Sequence, residues 1–215
     1  MKRVLFLILT LLSGTAAAQV TYSGANVPPV FSMSYPKETP SATFQNEFGQ
    51  PLGIKSFRGK VLIVNIWSTN CSQCLLELPM LDRLQRELGG DKFQVVAISS
   101  GLEAVPVIRR LFEARRLTDL RIYTDPQAKY SQAAGVKGLP TTFLVDAGGY
   151  ERGRIRGISD WTSPKIKAQI RQLINESGAN KAAAERARKL QETPPPVPPP
   201  APESAPADFG SWFKK

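Results

Sequence analysis

Apolar residues recur along this chain in short runs, and the spacing within each run predicts its secondary structure. Residues 61–67 (VLIVNIW) are apolar almost without interruption, which is typical of a central strand covered on both faces. Further strands are predicted at residues 93–98, 120–123, 141–145 and 150–157. A Gly-Gly turn separates the last two, which therefore form a hairpin.

Helices are predicted between these strands, where apolar residues recur at intervals of three and four. The first follows Cys71 and runs to Leu88, with a kink at Pro79. Others are predicted at residues 106–116, 127–134 and 164–174. A short hairpin at residues 42–54 precedes the central strand. This alternation of strands and helices predicts a three-layer α/β domain with a mixed sheet.

Composition divides the rest of the chain into segments that flank one domain at residues 41–176. Residues 19–40 carry four prolines and little periodicity, so we expect an extended lead-in that is partly ordered at best. Residues 177–192 are rich in alanine and charge and are predicted to be a helical linker. Residues 193–215 include a proline run that cannot enter a core, which predicts a disordered, Pro-rich tail.

The first 18 residues have the pattern of a secretory signal peptide. Lys2 and Arg3 precede an apolar run at residues 4–12, and small residues end at Ala18, with cleavage expected before Gln19. The apolar run is short for a membrane span. No cysteine follows it, so a lipoprotein anchor is not expected. The mature protein is therefore predicted to be periplasmic, with an uncleaved anchor as the alternative.

The charge of the chain narrows its range of partners. The 215 residues carry a formal net charge of +10 and contain no histidine. No basic run is interleaved with aromatic residues in a recognised nucleic-acid motif, so no nucleic-acid partner is predicted. A solvated basic surface, facing acidic membranes or partners, is the expected role of these charges. Without histidine the commonest general base and metal ligand is missing.

Cys71 and Cys74 are the only cysteines, and they lie where the predicted central strand meets the first helix. The unpaired N–H groups and the dipole at a helix N-terminus favour a thiolate there. A thiolate attacks disulfides, and a second thiol three residues later can resolve the mixed disulfide. The spacing therefore predicts a redox-active pair, with Cys71 as attacking and Cys74 as resolving thiol.

Two other roles for the cysteine pair are open from the residues alone. A disulfide between Cys71 and Cys74 would close too short a loop to stabilise the fold much. A zinc site within one chain would need carboxylates as further ligands, so no metal is predicted. A metal shared between two chains is left open. The redox-active disulfide itself is the expected redox centre, with no cofactor.

Several motifs in order resemble the exported thioredoxin-like proteins of the TlpA/ResA type. They are GKVLIVNIW at residues 59–67, CSQC at 71–74, ELP at 77–79 and GVKGLPTTFLVD at 135–146. The resemblance covers about residues 42–174. It implies a thioredoxin fold, with a mixed central sheet flanked by helices and an N-terminal hairpin extension.

The same resemblance implies roles for individual residues. Glu77 would be a buried carboxylate beside the cysteines, and Pro140 a cis-proline facing the disulfide. Client segments would bind along Leu139 and Pro140, and at Trp67 and Asn70. Two departures change the surroundings of the pair, because Asn70 stands where the family usually has a tryptophan, and Gln73 where it often has a proline.

The expected activity is that of a protein disulfide reductase, a thiol-disulfide oxidoreductase. Cys71 attacks a client disulfide, Cys74 resolves it, and Glu77, one turn further along the helix, takes up the Cys74 proton. The family precedent is reduction of specific exported proteins, as in cytochrome c maturation, with a membrane electron donor for re-reduction. We expect a monomer.

Two alternative functions are carried forward. One is a thioredoxin-fold scaffold that works through a partner docked on its tail. The other is a peroxiredoxin-like peroxidase, for which Thr69 is suitably near Cys71 although no proline precedes it in the loop.

Overall fold

The computed structural model describes residues 31–192 of the chain and contains an eight-stranded mixed sheet. Its strands are β1 (Ser32–Glu38), β2 (Phe44–Asn46), β3 (Pro51–Leu52), β4 (Val61–Trp67), β5 (Phe93–Ser99), β6 (Tyr123–Thr124), β7 (Thr141–Val145) and β8 (Tyr150–Arg156). Its helices are α1 (Ser72–Leu88), α2 (Val105–Ala114), α3 (Lys129–Ala133) and α4 (Pro164–Glu192), with a 3₁₀ turn at Ile54–Phe57. The strand order is β1-β8-β7-β4-β5-β6-β2-β3.

The continuous apolar run of β4 becomes the centre of the sheet, as its pattern predicts. All seven of its residues are buried. β4 pairs in parallel with β5 and antiparallel with β7, so both of its edges are hydrogen-bonded. β7 then turns at Gly149, which has a φ of 90° that suits glycine, and pairs with β8. The predicted closing hairpin is therefore confirmed.

Alternate residues of β4 face two different layers of the domain. Val61, Ile63 and Trp67 belong to the core that also contains apolar residues of α1, α2 and α4. Leu62, Val64 and Ile66 belong to the core beneath α3 and the β2–β3 hairpin. The three-layer arrangement is thus confirmed. Asn65 lies on the α1 side, at a position where the alternation calls for an apolar side chain.

Part of the predicted lead-in is an edge strand that the sequence pattern did not reveal. β1 pairs antiparallel with β8, and its register shifts between Met33 and Lys37. Pro36 lies inside this interruption, because proline has no N–H to donate to the ladder. The strand depends on pairing with a partner more than 110 residues away in the sequence, which no local periodicity encodes.

The strand predicted at residues 120–123 is shorter than expected. Only Tyr123–Thr124 pairs with neighbouring strands. Upstream, the amides of Asp119 and Leu120 donate to Asp82 Oδ1 at 2.8 and 3.0 Å. A buried carboxylate of α1 therefore satisfies backbone groups that a strand would have paired with another strand.

α4 runs without interruption to Glu192, so the predicted boundary near residue 176 is not a break in the helix. Packing changes near this point instead: among the α4 residues whose burial is described, Leu173 is the last that is buried, while Asn180, Ala182 and Glu185 are exposed. The predicted signal peptide and Pro-rich tail lie outside the described residues. Within residues 31–192, no helix has the length and apolar character to cross a membrane.

Candidate functional site

The two cysteines form a disulfide at the start of α1. Cys71 is the residue that caps the helix, and its Cα lies 5.2 Å from that of Cys74. The amide of Cys74 donates to Cys71 Sγ at 3.1 Å. Cys74 is fully buried whereas Cys71 is half-buried. Cys71 is therefore the sulfur that an incoming protein can reach, as the helix position predicts.

The electrostatics of the helix start favour negative charge on Cys71. Its sulfur already accepts a backbone N–H, which is the contact that stabilises a thiolate once the disulfide is reduced. The first turn of α1 contains no acidic residue that would oppose this charge. Ser72 and Gln73, between the cysteines, are exposed.

Glu77 is a buried carboxylate on the same helix, one turn beyond Cys74, and is fully shielded from solvent. Its Oε1 accepts a hydrogen bond from Asn65 Nδ2 at 2.6 Å. Its Oε2 accepts from Trp161 Nε1 at 3.0 Å and from the Ser159 amide at 3.3 Å. The burial that the family resemblance implied is thus present, together with three donors that the sequence did not predict.

Burial raises the pKa of Glu77 above its usual value, because desolvation penalises the charged form. The hydrogen bonds donated by Trp161, Asn65 and Ser159 act in the opposite direction but do not outweigh burial. A carboxyl group in this position can hold or release a proton nearer to neutral pH than a surface glutamate can. That property suits exchange of a proton with a thiol.

Asn65 connects Glu77 to the strand that follows Pro140. Its Nδ2 also donates to Thr142 Oγ1 at 2.9 Å, so one buried amide joins β7, β4 and α1. The signal in the sequence was a lone polar residue inside the apolar run of β4. Thr142 and Trp161 gave no comparable signal, since their contacts span 77 residues of sequence to Asn65 and 84 to Glu77 respectively.

The peptide bond between Leu139 and Pro140 is cis, as the resemblance implied. Pro140 is buried and half-buried Leu139 packs against both cores. Because Thr141 pairs with Ile66, Pro140 lies beside the end of β4 that leads to Cys71. The cis-proline loop and the disulfide are therefore at the same end of the sheet.

A search with family models matches residues 36–170, more than half of the chain, to the family described as Redoxin. The chain belongs to the Redoxin family. It is also 25% identical over 172 residues to the thiol-disulfide oxidoreductase ResA of Bacillus cereus, a match covering 80% of this chain and 97% of that protein.

Solved structures support the fold of this Redoxin-family chain. A thiol:disulfide interchange protein of the thioredoxin family from Chlorobium tepidum superposes with a TM-score of 0.54 at 23% identity, covering 66% of this chain and 98% of its own. The exposed lipoprotein thioredoxin of Streptococcus pneumoniae gives 0.52 at 22% identity, covering 61% and 98%. The predicted thioredoxin fold, the resemblance to the TlpA/ResA type and the enzyme class, thiol-disulfide oxidoreductase, are confirmed.

Trp67 requires a correction within this Redoxin site. It was predicted to contact substrate, but its side chain is fully buried and stacks on Phe112 with ring centroids 5.9 Å apart. Side chains alternate between the two faces of β4, and the position of Trp67 in that alternation directs its side chain into the core. Asn70, by contrast, is exposed in the loop before Cys71.

The peroxidase alternative is disfavoured by the surroundings of Thr69. Its hydroxyl donates to Glu103 Oε1 at 2.5 Å and so is committed to a carboxylate of the loop after β5. Glu103 was not singled out from the sequence. Its contact ties the loop that carries Cys71 to the next loop along the sheet.

Proposed function

We propose that the protein is an exported disulfide reductase that acts on specific proteins outside the cytoplasm, with the Cys71–Cys74 disulfide as its only redox centre. The observation that carries the proposal is the buried Glu77, one helical turn from the buried Cys74 and held by three hydrogen bonds. A buried acid is costly to ionise, and the three neutral donors offset only part of that cost. Exchange with the resolving thiol gives it a use.

The cycle begins with the dithiol form. The Cys71 thiolate attacks a client disulfide, forms a mixed disulfide and displaces one client thiolate. Cys74 then gives its proton to the Glu77 carboxylate, and the Cys74 thiolate attacks Cys71 Sγ. This step closes the Cys71–Cys74 disulfide and displaces the second client thiolate. Two electrons pass from protein to client, and the two client sulfurs take up protons.

The surroundings of the pair favour a reductant over an oxidant. The intervening Ser72 and Gln73 are uncharged and exposed, and the chain has no histidine to stabilise the Cys71 thiolate strongly. A strong oxidant needs its reduced form to be stabilised in that way. The oxidised form must then be re-reduced by a donor of two electrons, for which a membrane electron donor is the proposed source.

The clients are proposed to be exported proteins whose cysteines must be kept reduced, such as haem-attachment cysteines during cytochrome c maturation. The similarity to ResA and to exported thioredoxin-fold proteins supports this proposal. The exposed Asn70 and the loop of Leu139 and Pro140 are the proposed contacts for an extended client segment. Periplasmic location rests on the signal-peptide pattern of residues 1–18.

Equilibration with dithiothreitol and glutathione buffers tests the direction of electron flow. We expect a reversible couple at about −200 mV or lower. A potential near those of strong oxidants, or no reversible couple, would contradict the proposal. Trapping with Cys74→Ala identifies the clients, because the mixed disulfide on Cys71 can no longer be resolved.

The double variant Cys71→Ala with Cys74→Ala is the control for trapping and separates this proposal from the scaffold alternative. It has no cysteine left and so cannot hold a client as a mixed disulfide, and it should have no activity if the cysteines carry the function. A scaffold acting through residues 193–215 would instead keep its biological activity in that variant.

A further inference from the structure

We propose that Trp161 is a positioning residue for the redox reaction: its indole N–H fixes Glu77 Oε2, so that the carboxylate, one helical turn beyond Cys74, is held in one orientation. Trp161 lies between β8 and α4, in a segment with no cysteine and no acid–base role of its own. The inference rests on the proposed proton exchange between Glu77 and Cys74. It assigns to a residue 84 positions away the task of holding the proton acceptor in place.

The packing of Trp161 leaves its N–H little freedom. The side chain is fully buried, and its ring lies 6.1 Å from that of Phe31, tilted by 51°. An indole nitrogen can only donate, and its one N–H is directed at Glu77 Oε2 at 3.0 Å. The Ser159 amide, two residues earlier, donates to the same oxygen at 3.3 Å. The segment between β8 and α4 therefore donates two hydrogen bonds to one oxygen of Glu77, while Asn65 of β4 donates to the other.

The two oxygens of Glu77 are consequently not equivalent. Oε2 faces only N–H groups of Ser159 and Trp161, neither of which can accept a proton in a hydrogen bond. Oε1 faces Asn65, whose side chain carries both a donor and an acceptor. The proton taken from Cys74 is therefore held at Oε1. The Asn65 amide can accept a hydrogen bond from it there after turning so that its Oδ1 faces Glu77. Trp161 keeps Oε2 as the acceptor oxygen throughout the cycle.

The groups that face Glu77 are few, which makes its titration simple to interpret. The cysteines of the same helix region do not titrate while the disulfide is intact, and the contact from β4, Asn65, is neutral. In the segment before α4, the carboxylate of Asp160 is exposed and bonded to Thr162. Within the described part of the chain no charged side chain contributes to the Glu77 shift, and the whole sequence lacks histidine.

The test is the titration of Glu77 in the oxidised protein, followed by the δ-carbon NMR shift of ¹³C-labelled glutamate. The spectrum of Glu77→Gln identifies the resonance. Trp161→Phe removes the donor, so the midpoint should rise by about one pH unit, the size expected for a hydrogen bond to a charged group. An unchanged or lower midpoint would overturn the proposal.

Two further variants separate the hydrogen bond from the packing. Benzothienylalanine at position 161 keeps the shape of the indole and replaces N–H with sulfur, so it should raise the midpoint as Trp161→Phe does, even if the latter folds poorly. Trp67→Phe removes another fully buried indole, one whose Nε1 has no partner among residues 31–192, and should leave the midpoint in place. Equal shifts in the Trp67 and Trp161 variants would also overturn the proposal.

A kinetic measurement then links the position of Glu77 to the reaction. The rate at which Cys74 resolves a mixed disulfide on Cys71 is measured against pH. The pH profile of this rate should move to higher pH in Trp161→Phe. Adding Trp161→Phe to Glu77→Gln should not change the profile further. An equal effect of Trp161→Phe in both backgrounds would reduce Trp161 to a packing role. If no client disulfide is ever reduced, the proposed function fails, while the NMR titration still decides the contact.

Discussion

Asn65 on the central strand and Glu77 on the redox helix are joined by a hydrogen bond of 2.6 Å that is closed to solvent. The bond places the one polar side chain of β4 against the one acidic side chain that follows the cysteines within a turn. Because the same Asn65 nitrogen also reaches Thr142, the central strand fixes the helix and the cis-proline strand relative to each other. The side-chain amide of Asn65 thus links the three elements that build the site, β4, α1 and β7.

Asn65→Leu keeps the branching of the side chain and removes the donor. Glu77 then loses a contact that stabilises its ionised form, so we expect its pKa to rise further and the protein to lose about 1–3 kcal/mol of stability. The loss should be larger at pH 8 than at pH 5, because only the ionised form needs the donor. Chemical denaturation at both pH values measures it. The same substitution in Glu77→Gln should show no such pH dependence, and a loss equal at both pH values would contradict the prediction.

The reactivity of the two thiols should differ. Cys71 is half-buried at the helix start and Cys74 is fully buried, so iodoacetamide should modify Cys71 faster and at lower pH in the reduced protein. Mass spectrometry of the singly alkylated protein, with quenching at several times and pH values, gives both rates. Preferential modification of Cys74 would reverse the roles assigned to the two residues.

Arg154 supports the loop before Pro140 from β8. Its guanidinium donates to the carbonyls of Ala134 and Gly135, forms two bonds of 2.8 Å with Glu151, and lies 4.3 Å above the ring of Phe143. Arg154→Met leaves the carboxylate of Glu151 without its partner, which should cost about 2–4 kcal/mol. Arg156→Met on the same strand is the matched control, since Arg156 is exposed and its loss should cost less than about 0.5 kcal/mol. Similar losses in the two variants would mean that Arg154 is an ordinary surface charge.

Local sequence patterns predicted correctly those strands and helices whose environment is uniform along their length. β4 is apolar except at Asn65 and α1 repeats leucines at helical spacing, so both were predicted with correct bounds, as was the cysteine pair at their junction. β1, the shortened β6 and the continuity of α4 were missed. Their limits depend on a distant strand, on the Asp82 carboxylate and on where packing stops, rather than on their own residues.

The site shows the same division between local and long-range information. Cys71, Cys74, Glu77 and Pro140 lie in motifs that a single sequence reveals. Trp161 meets Glu77 only because the chain returns after four further strands, and Trp67 was assigned to client binding although its place in β4 buries it. A tryptophan next to a motif says little about which way it faces until the strand's partners are known.

The stability of the oxidised protein should depend on pH through Glu77. Its pKa in the folded state is raised above the unfolded value of 4.5, so the folded state binds the proton more tightly than the unfolded chain. The contribution to stability is complete below pH 4.5 and is lost as the pH rises through the folded pKa. The Glu77→Gln side chain cannot ionise and loses no such contribution. As the pH rises from 4.5 through the folded pKa, the unfolding free energy of the wild type should therefore fall relative to that of the variant. Denaturation of both proteins from pH 4 to pH 9 measures this difference, and a difference that does not vary with pH would contradict the raised pKa.

Glu77→Gln should also separate the charge of Glu77 from its shape during catalysis. An ionised carboxylate near the thiols disfavours their ionisation, so the variant should show a lower apparent thiol pKa. It cannot accept the Cys74 proton, so disulfide-reduction turnover should fall by about 10²-fold or more where that transfer limits the rate. Alkylation rate and turnover, both measured against pH for the two proteins, test the two effects separately. Glu77→Asp is the control, because it keeps a titrating carboxyl group but withdraws it from its donors, and it should retain part of the turnover. Superimposable profiles for wild type and Glu77→Gln would leave the cysteines as the only reacting groups and remove Glu77 from the mechanism.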